Sequence, residues 1–172
     1  MPKKIDPLNK KNYGAITAAL CVTDLKAAAA FYQKAFGFEK RGIMNGPGGK
    51  PMHAELRLRD STLMLGPEMP EMGARSAKSL GASPTTLYLL VENVDKVFAK
   101  AVKLGAKPLG EVADMFWGDR CGRLLDPEGY NWYIATHIVE PTPAEMKKQM
   151  QEDMKKWQAQ QQPQSTAATN EG

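Results

Sequence analysis

The chain runs twice through the same order of apolar and polar positions. Residues 15–22, AITAALCV, form a short apolar run with β-branched members, which predicts a strand. Asp24 then suits a helix cap. Leu25, Ala28, Ala29, Phe31, Tyr32, Ala35 and Phe36 recur at helical spacing until Gly37, so the pattern predicts an amphipathic helix closed by a glycine. FEKRGIM follows, and the glycines and prolines of NGPGGKP predict a loop between strands. In MHAELRLR, His53, Glu55, Arg57 and Arg59 alternate with Ala54, Leu56 and Leu58, the signature of a half-buried antiparallel strand. Asp60-Ser61 turns into a further strand, TLMLG.

The grammar repeats after a segment dense in Gly, Pro, Ser and Ala. TTLYLLVENVDKVFAKAVKLGAKPLGE predicts a strand to Val91, a cap at Asn93 or Asp95, a helix through Leu104, a stop at Gly105 and another strand. Val22, Asp24 and Leu25 match Val91, Asn93 and Val94 at an offset of 69 residues, and Gly37 matches Gly105 at 68. MFWGDRCGRLLD, a turn at PEGY and the strand NWYIATHI complete the second unit. The repeat sets the architecture. The fold class expected is α+β, with two tandem βαβββ modules forming curled sheets around a cavity, plus a C-terminal helix. The divisions expected are an N-terminal arm at 1–12, a first module at 13–66, a linker at 67–84, a second module at 85–141, a C-terminal helix at 142–157 and a disordered tail at 158–172. Met146, Met150, Met154 and Trp157 fall on one face of that helix and suit a docking or dimer contact.

Composition bounds the partners. The chain has 172 residues, 42% of them hydrophobic and 24% charged, which is ordinary for a globular core. Its net charge of +4 is uneven. Lys3, Lys4, Lys10 and Lys11 against Asp6 give the arm +3, whereas residues 13–141 are close to neutral and residues 142–172 balance. A basic face for nucleic acid is not expected. Two cysteines, Cys21 and Cys121, are too few for a disulfide scaffold and lack zinc-site spacing. No apolar run approaches the length of a membrane span, so no membrane partner and a cytoplasmic location are expected.

The order of LCVTDLKAAAAFYQKAFGFE, MHAELRLRDSTLML, LYLLVENVDKVFAKAVKLGA and FWGDRCGRLLDPEGYNWYI resembles the vicinal oxygen chelate superfamily, which holds glyoxalase I, extradiol dioxygenases and bleomycin-resistance proteins. Within it, the second and fourth of these blocks resemble the PhnB-like branch. The resemblance implies a cavity into which four metal ligands project in the metal-dependent members. Carried over, those positions fall on Thr17, Glu55, Thr86 and Tyr133. Glu55 alone is a usual ligand there, and a His-x-Glu pair with His53 supplies only two donors, where a transition metal wants three or four. No cofactor is therefore expected, and a divalent metal is disfavoured.

If Glu55 faces the cavity, alternation turns His53 and Arg57 inward, and selects Thr17, Ala19 and Cys21, Thr86, Tyr88 and Leu90, and Asn131, Tyr133 and Ala135 on the other strands. Phe116, Trp117, Asp119 and Arg120 enter the next strand, where an aromatic could stack on a ligand and Arg120 bind an anion; alternatively Trp117 plugs the core and Asp119 pairs with Arg120 at the surface. The ligand-binding candidates are thus His53, Glu55, Arg57, Tyr88, Trp117, Arg120 and Tyr133, and the catalytic candidates are Glu55 as a general base and His53 as its proton shuttle or orienter. Three functions are compatible: a metal-free, homodimeric binder of a small molecule; a lyase, isomerase or dioxygenase using His53 and Glu55; and an antibiotic-sequestering resistance protein.

Overall fold

The computed structural model describes residues 14–161, the side chains of 157 and 159–161 excepted. The basic arm, the tail beyond 161 and the Trp157 side chain lie outside the described residues. Strand β1 (Ala18–Val22) leads to helix α1 (Leu25–Phe36), then β2 (Glu39–Asn45), β3 (Pro51–Leu58) and β4 (Ser61–Pro67). After the short helix α2 (Ala77–Leu80) come β5 (Thr86–Leu90), α3 (Val94–Lys103), β6 (Lys107–Pro108), β7 (Ala113–Asp114), β8 (Asp119–Leu125), β9 (Asn131–His137) and α4 (Pro143–Gln161). Each module folds into its own curled sheet, ordered β1-β4-β3-β2 and β5-β9-β8-β6, with β7 pairing β8. Each opens on a parallel pair, β1 with β4 and β5 with β9, because a crossover helix separates the first strand from the rest.

Local chemistry places the helices as the sequence predicts. The Asp24 side chain accepts from Ala27 N, and Gly37, at φ 81°, ends α1 in a left-handed turn that glycine adopts without strain. Asn93, rather than Asp95, caps α3 by accepting from Lys96 N. The strand expected after Gly105 is instead split into β6 and β7, since Pro108 has no N–H to give the ladder and Gly110 follows at once. The expected linker is ordered in part. Glu68 accepts from the backbone N and the hydroxyl of Ser76 at 2.8 Å each, and Ser76 and Ala77 are buried.

One core serves both modules. Leu20, Val22, Leu56, Leu63 and Leu65 of the first sheet and Leu89, Leu124, Trp132 and Ile134 of the second bury with the apolar faces of α1 and α3 in a single cluster. Trp132 packs against Phe36 and Tyr32, with ring centroids 4.9 and 5.6 Å apart. The DPEGY turn is the polar clasp across this joint. Asp126 accepts from Tyr32 Oη at 2.7 Å and Trp132 Nε1 at 2.8 Å. Glu128 accepts from Thr23 N at 2.6 Å, and Tyr130 Oη both donates to Cys21 O and accepts from Cys21 N. No helix among the described residues is long and apolar enough to cross a membrane.

Candidate functional site

Because the core joins the sheets through their helix-facing sides, the opposite faces carry the candidate residues. On the first sheet, His53 and Glu55 line a pocket with Arg41, Gly42, Ile43 and Met44. Glu55 lies 3.6 Å from His53 Nε2 and 3.7 Å from Arg41 Nη1. Arg57 is one step along the same face, and its Nε donates to Arg59 O. Pairing sets Glu55 opposite Met64 and Met64 opposite Ala19, so Thr17 lies two residues off the Glu55 rung.

The second sheet presents a more developed cluster. Tyr88 and Tyr133 are cross-strand partners and stack, with centroids 5.8 Å apart at 24°. Arg123, paired with Tyr133 on its other side, sits 5.9 Å over that ring. Thr86 pairs with Asn131, so it is not the neighbour of Tyr133. The His53–Glu55 strip thus lies on the first sheet in a pocket whose lining holds neither tyrosine, and the Tyr88–Tyr133 stack lies on the second.

Asp119 organises this second face. It is 7% exposed, and its carboxylate accepts from Tyr88 Oη, from Trp117 Nε1 at 3.1 Å and from His137 Nδ1 at 2.7 Å. Burial would push the carboxyl up, but these three hydrogen bonds outweigh it and hold Asp119 below the ordinary aspartate range. Tyr88 is 48% exposed through its ring, while its hydroxyl end is desolvated against Asp119, which pushes the phenol up to about 12. His137 places its other nitrogen 2.8 Å from Glu140 Oε2. Both ring nitrogens therefore face carboxylates, so the protonated ring can donate to both. The bonds to Asp119 and then Glu140 raise its pKa.

His137, raised, contributes stability below the ordinary histidine value that is lost as pH rises through its folded value; Asp119, lowered, contributes above the ordinary carboxylate value and loses it as pH falls through its own. The His137 ring is expected to titrate by NMR above the ordinary histidine range, and Asp119→Asn to bring it back down. A midpoint unmoved by that substitution would show that Asp119 does not set it.

The remaining candidates divide. Trp117 joins the cluster, its indole N–H also reaching Tyr88 Oη at 3.2 Å. Arg120 does not. It lies on the alternate face of β8, with its guanidinium bonded to both carboxylate oxygens of Asp95 and to Asp114 at 2.9–3.0 Å, and so ties α3 to β7 instead of facing an anion site. Nor does Asp119 pair with Arg120, because neighbours on a strand point to opposite faces. Sequence reasoning missed Asp119, His137 and Glu140 as a unit; the available signal was the antiparallel pairing that sets Asp119 opposite His137. The thiols are not activated: burial and then the carboxylates of Glu68 and Glu128 raise Cys21, and burial raises Cys121.

The donor set does not fit a transition metal. The four implied positions offer two threonines, a tyrosine and Glu55, and among the described residues no three His, Cys, Asp or Glu side chains converge to hold an ion.

Comparison with known proteins agrees with this architecture. The model of the Glyoxalase/Bleomycin resistance protein/Dioxygenase superfamily matches residues 14–134. An uncharacterized protein of Mycobacterium tuberculosis (strain ATCC 25618 / H37Rv) is 39% identical over 129 residues, covering 73% of this chain and 76% of its own. Among solved structures, TioX from Micromonospora sp. ML1 is 24% identical with a TM-score of 0.57, covering 73% of this chain and 100% of its own. The fosfomycin resistance protein FosX of Listeria monocytogenes, solved with Mn(II) and a sulfate ion, is 16% identical with a TM-score of 0.56, covering 80% of this chain and 97% of its own. With its two βαβββ modules and a family match across both, the chain belongs to the glyoxalase/bleomycin resistance protein/dioxygenase superfamily.

Proposed function

We propose that the protein is a PhnB-like, metal-free binder of a planar small molecule. The observation that carries this reading is the tethered aromatic face of the second sheet. Tyr88 and Tyr133 stack beside Arg123, and Asp119 fixes Tyr88 and Trp117 by hydrogen bonds, so the rings are pre-positioned for a flat ligand. The donor set at Thr17, Glu55, Thr86 and Tyr133 supports a role without a metal. His53, Glu55 and Arg57 reach the same ligand only if a second copy brings its first sheet over this face. A homodimer is accordingly part of the reading, supported by the exposure of Tyr88, Leu90 and Met44 on the two faces and of Met150 and Met154 along α4. The location proposed is the cytoplasm, in keeping with two free cysteines.

The test is a thermal-shift screen of planar aromatic acids and amides with a chelator present. A shift that survives chelation, is lost in Tyr133→Ala and is weakened in His53→Ala supports the reading. A shift that requires Mn(II) or Zn(II) and is lost in Glu55→Ala overturns it in favour of the metal-assisted enzyme. A shift seen only with antibiotics would move it to the sequestering alternative.

A further inference from the structure

The aromatic face carries a cation that no carboxylate among the described residues neutralises. Arg123 stands in a row with Tyr133 and Tyr88, because β8, β9 and β5 set the three side by side. It is exposed, and its guanidinium is held without being paired. Nη2 donates to Asn131 Oδ1 at 3.4 Å, and Asn131 is fixed in turn by donating from Nδ2 to Ser83 O at 3.1 Å. The Tyr133 ring shields one side of the group at 5.9 Å. An amide oxygen and a ring orient a guanidinium, but neither cancels its charge.

Two other strand arginines show the contrast. Arg120 is bonded to Asp95 and Asp114, and Arg41 lies 3.7 Å from Glu55. At Arg123 the charge is instead reinforced. Lys107 pairs with Leu125, two residues along β8 from Arg123, which puts the lysine on the same face of the sheet. The carboxylate of that face, Asp119, lies four residues the other way along β8 and is engaged with Tyr88, Trp117 and His137. The face is therefore positive at its Arg123 end.

Building on the binding role given above to this face, we propose that its ligand is an aromatic carboxylate, with its ring against the tyrosines and its carboxylate on Arg123. A guanidinium has five N–H donors, of which Asn131 takes one, so four remain for the two oxygens of a carboxylate. Tyr133 already keeps water from one side of the cation, and a guanidinium is weakly hydrated, so the rest of its water is given up at low cost. A neutral amide offers that donor set one uncharged oxygen, which makes the weaker bond, and a cation is repelled.

Two probes alike in ring and size, 2-naphthoic acid and 2-naphthamide, test the assignment in the full chain by calorimetric titration at neutral pH, where the acid is ionised. The acid is expected to bind about tenfold more tightly than the amide, and added salt to weaken the acid alone. Arg123→Gln should remove that preference and leave amide binding nearly as it was, which also shows that the variant folds. Arg123→Lys should keep part of the preference, and Tyr133→Ala should weaken both probes alike. Equal affinity of the two probes for the wild type, or a loss on Arg123→Gln shared by acid and amide, would overturn the carboxylate while leaving a planar binder in place. Binding of neither probe to the wild type would overturn the planar binder, and the carboxylate with it.

Discussion

Replacing Asp126 by alanine is expected to lower unfolding stability by about 3 kcal/mol, because it leaves buried donors on both modules without an acceptor. Asp126 is 4% exposed. One carboxylate oxygen takes the Tyr32 hydroxyl and the Trp132 indole N–H, and the other takes the backbone N–H groups of Glu128 and Tyr130 at 2.9 and 3.0 Å. For a chain of this size the melting temperature should fall by roughly 10 °C. Asp126→Asn should not restore it, since the amide NH2 would meet an indole N–H that can only donate. Tyr32→Phe removes a single hydrogen bond and should cost about 1 kcal/mol. The double variant should cost less than the sum of the two singles, because both remove the same bond. Full additivity in chemical denaturation would show that the Tyr32–Asp126 bond does not hold the modules together.

Gly118→Ala should be as damaging, and its damage should reach the aromatic face. Gly118 has φ 98°, and a Cβ there would lie 2.2 Å from Val139 O and 2.7 Å from Pro141 Cδ. Backbone cannot yield as a flexible side chain does. The Gly118 carbonyl also accepts from Ile138 N and Val139 N, so the segment carrying Glu140 would be displaced together with Trp117, Asp119 and His137 on either side. A loss of about 2–4 kcal/mol is expected from the left-handed strain and the contact combined. The His137 ring should at the same time titrate closer to an unperturbed histidine. If Gly118→Ala melts as the wild type does and leaves the His137 midpoint in place, the close approach of residues 118 and 139 is not a constraint on the site.

Much of this could be read along the chain because it depends on near neighbours. The caps at Asp24 and Asn93, the glycine stop at Gly37, and the alternation that buries Leu56 and Leu89 involve residues a few positions apart, where period and backbone preference decide. The repeat at offsets of 69 and 68 residues established two βαβββ modules, and the missing ligand types at Thr17, Thr86 and Tyr133 could be counted directly. The split of β6 from β7 is encoded by Pro108 and Gly110, but the apolar pattern predicts a continuous strand because it does not register a missing N–H.

What the linear pattern could not decide was which sheet face would meet which. Alternation places His53, Glu55 and Arg57 on one face and Tyr88 and Tyr133 on another, but it contains no term for how two modules dock. That choice was made by the core through the helix-facing sides, with Asp126 and Glu128 reaching from the second module to Tyr32 and Thr23 of the first. Docking in this way left the His53–Glu55 strip and the Tyr88–Tyr133 stack outside the shared core. The same distinction explains Arg120 and Asp119: adjacent in sequence, they point to opposite sides of β8, one into a clamp on α3 and the other under the tyrosines. The sequence by itself determined the two modules and most of their strands and helices, because these follow from local periodicity and side-chain type. Only the tertiary structure decided the Asp119–His137 cluster and the joint between the modules, because both depend on long-range contacts whose free energy is gained when the chain folds.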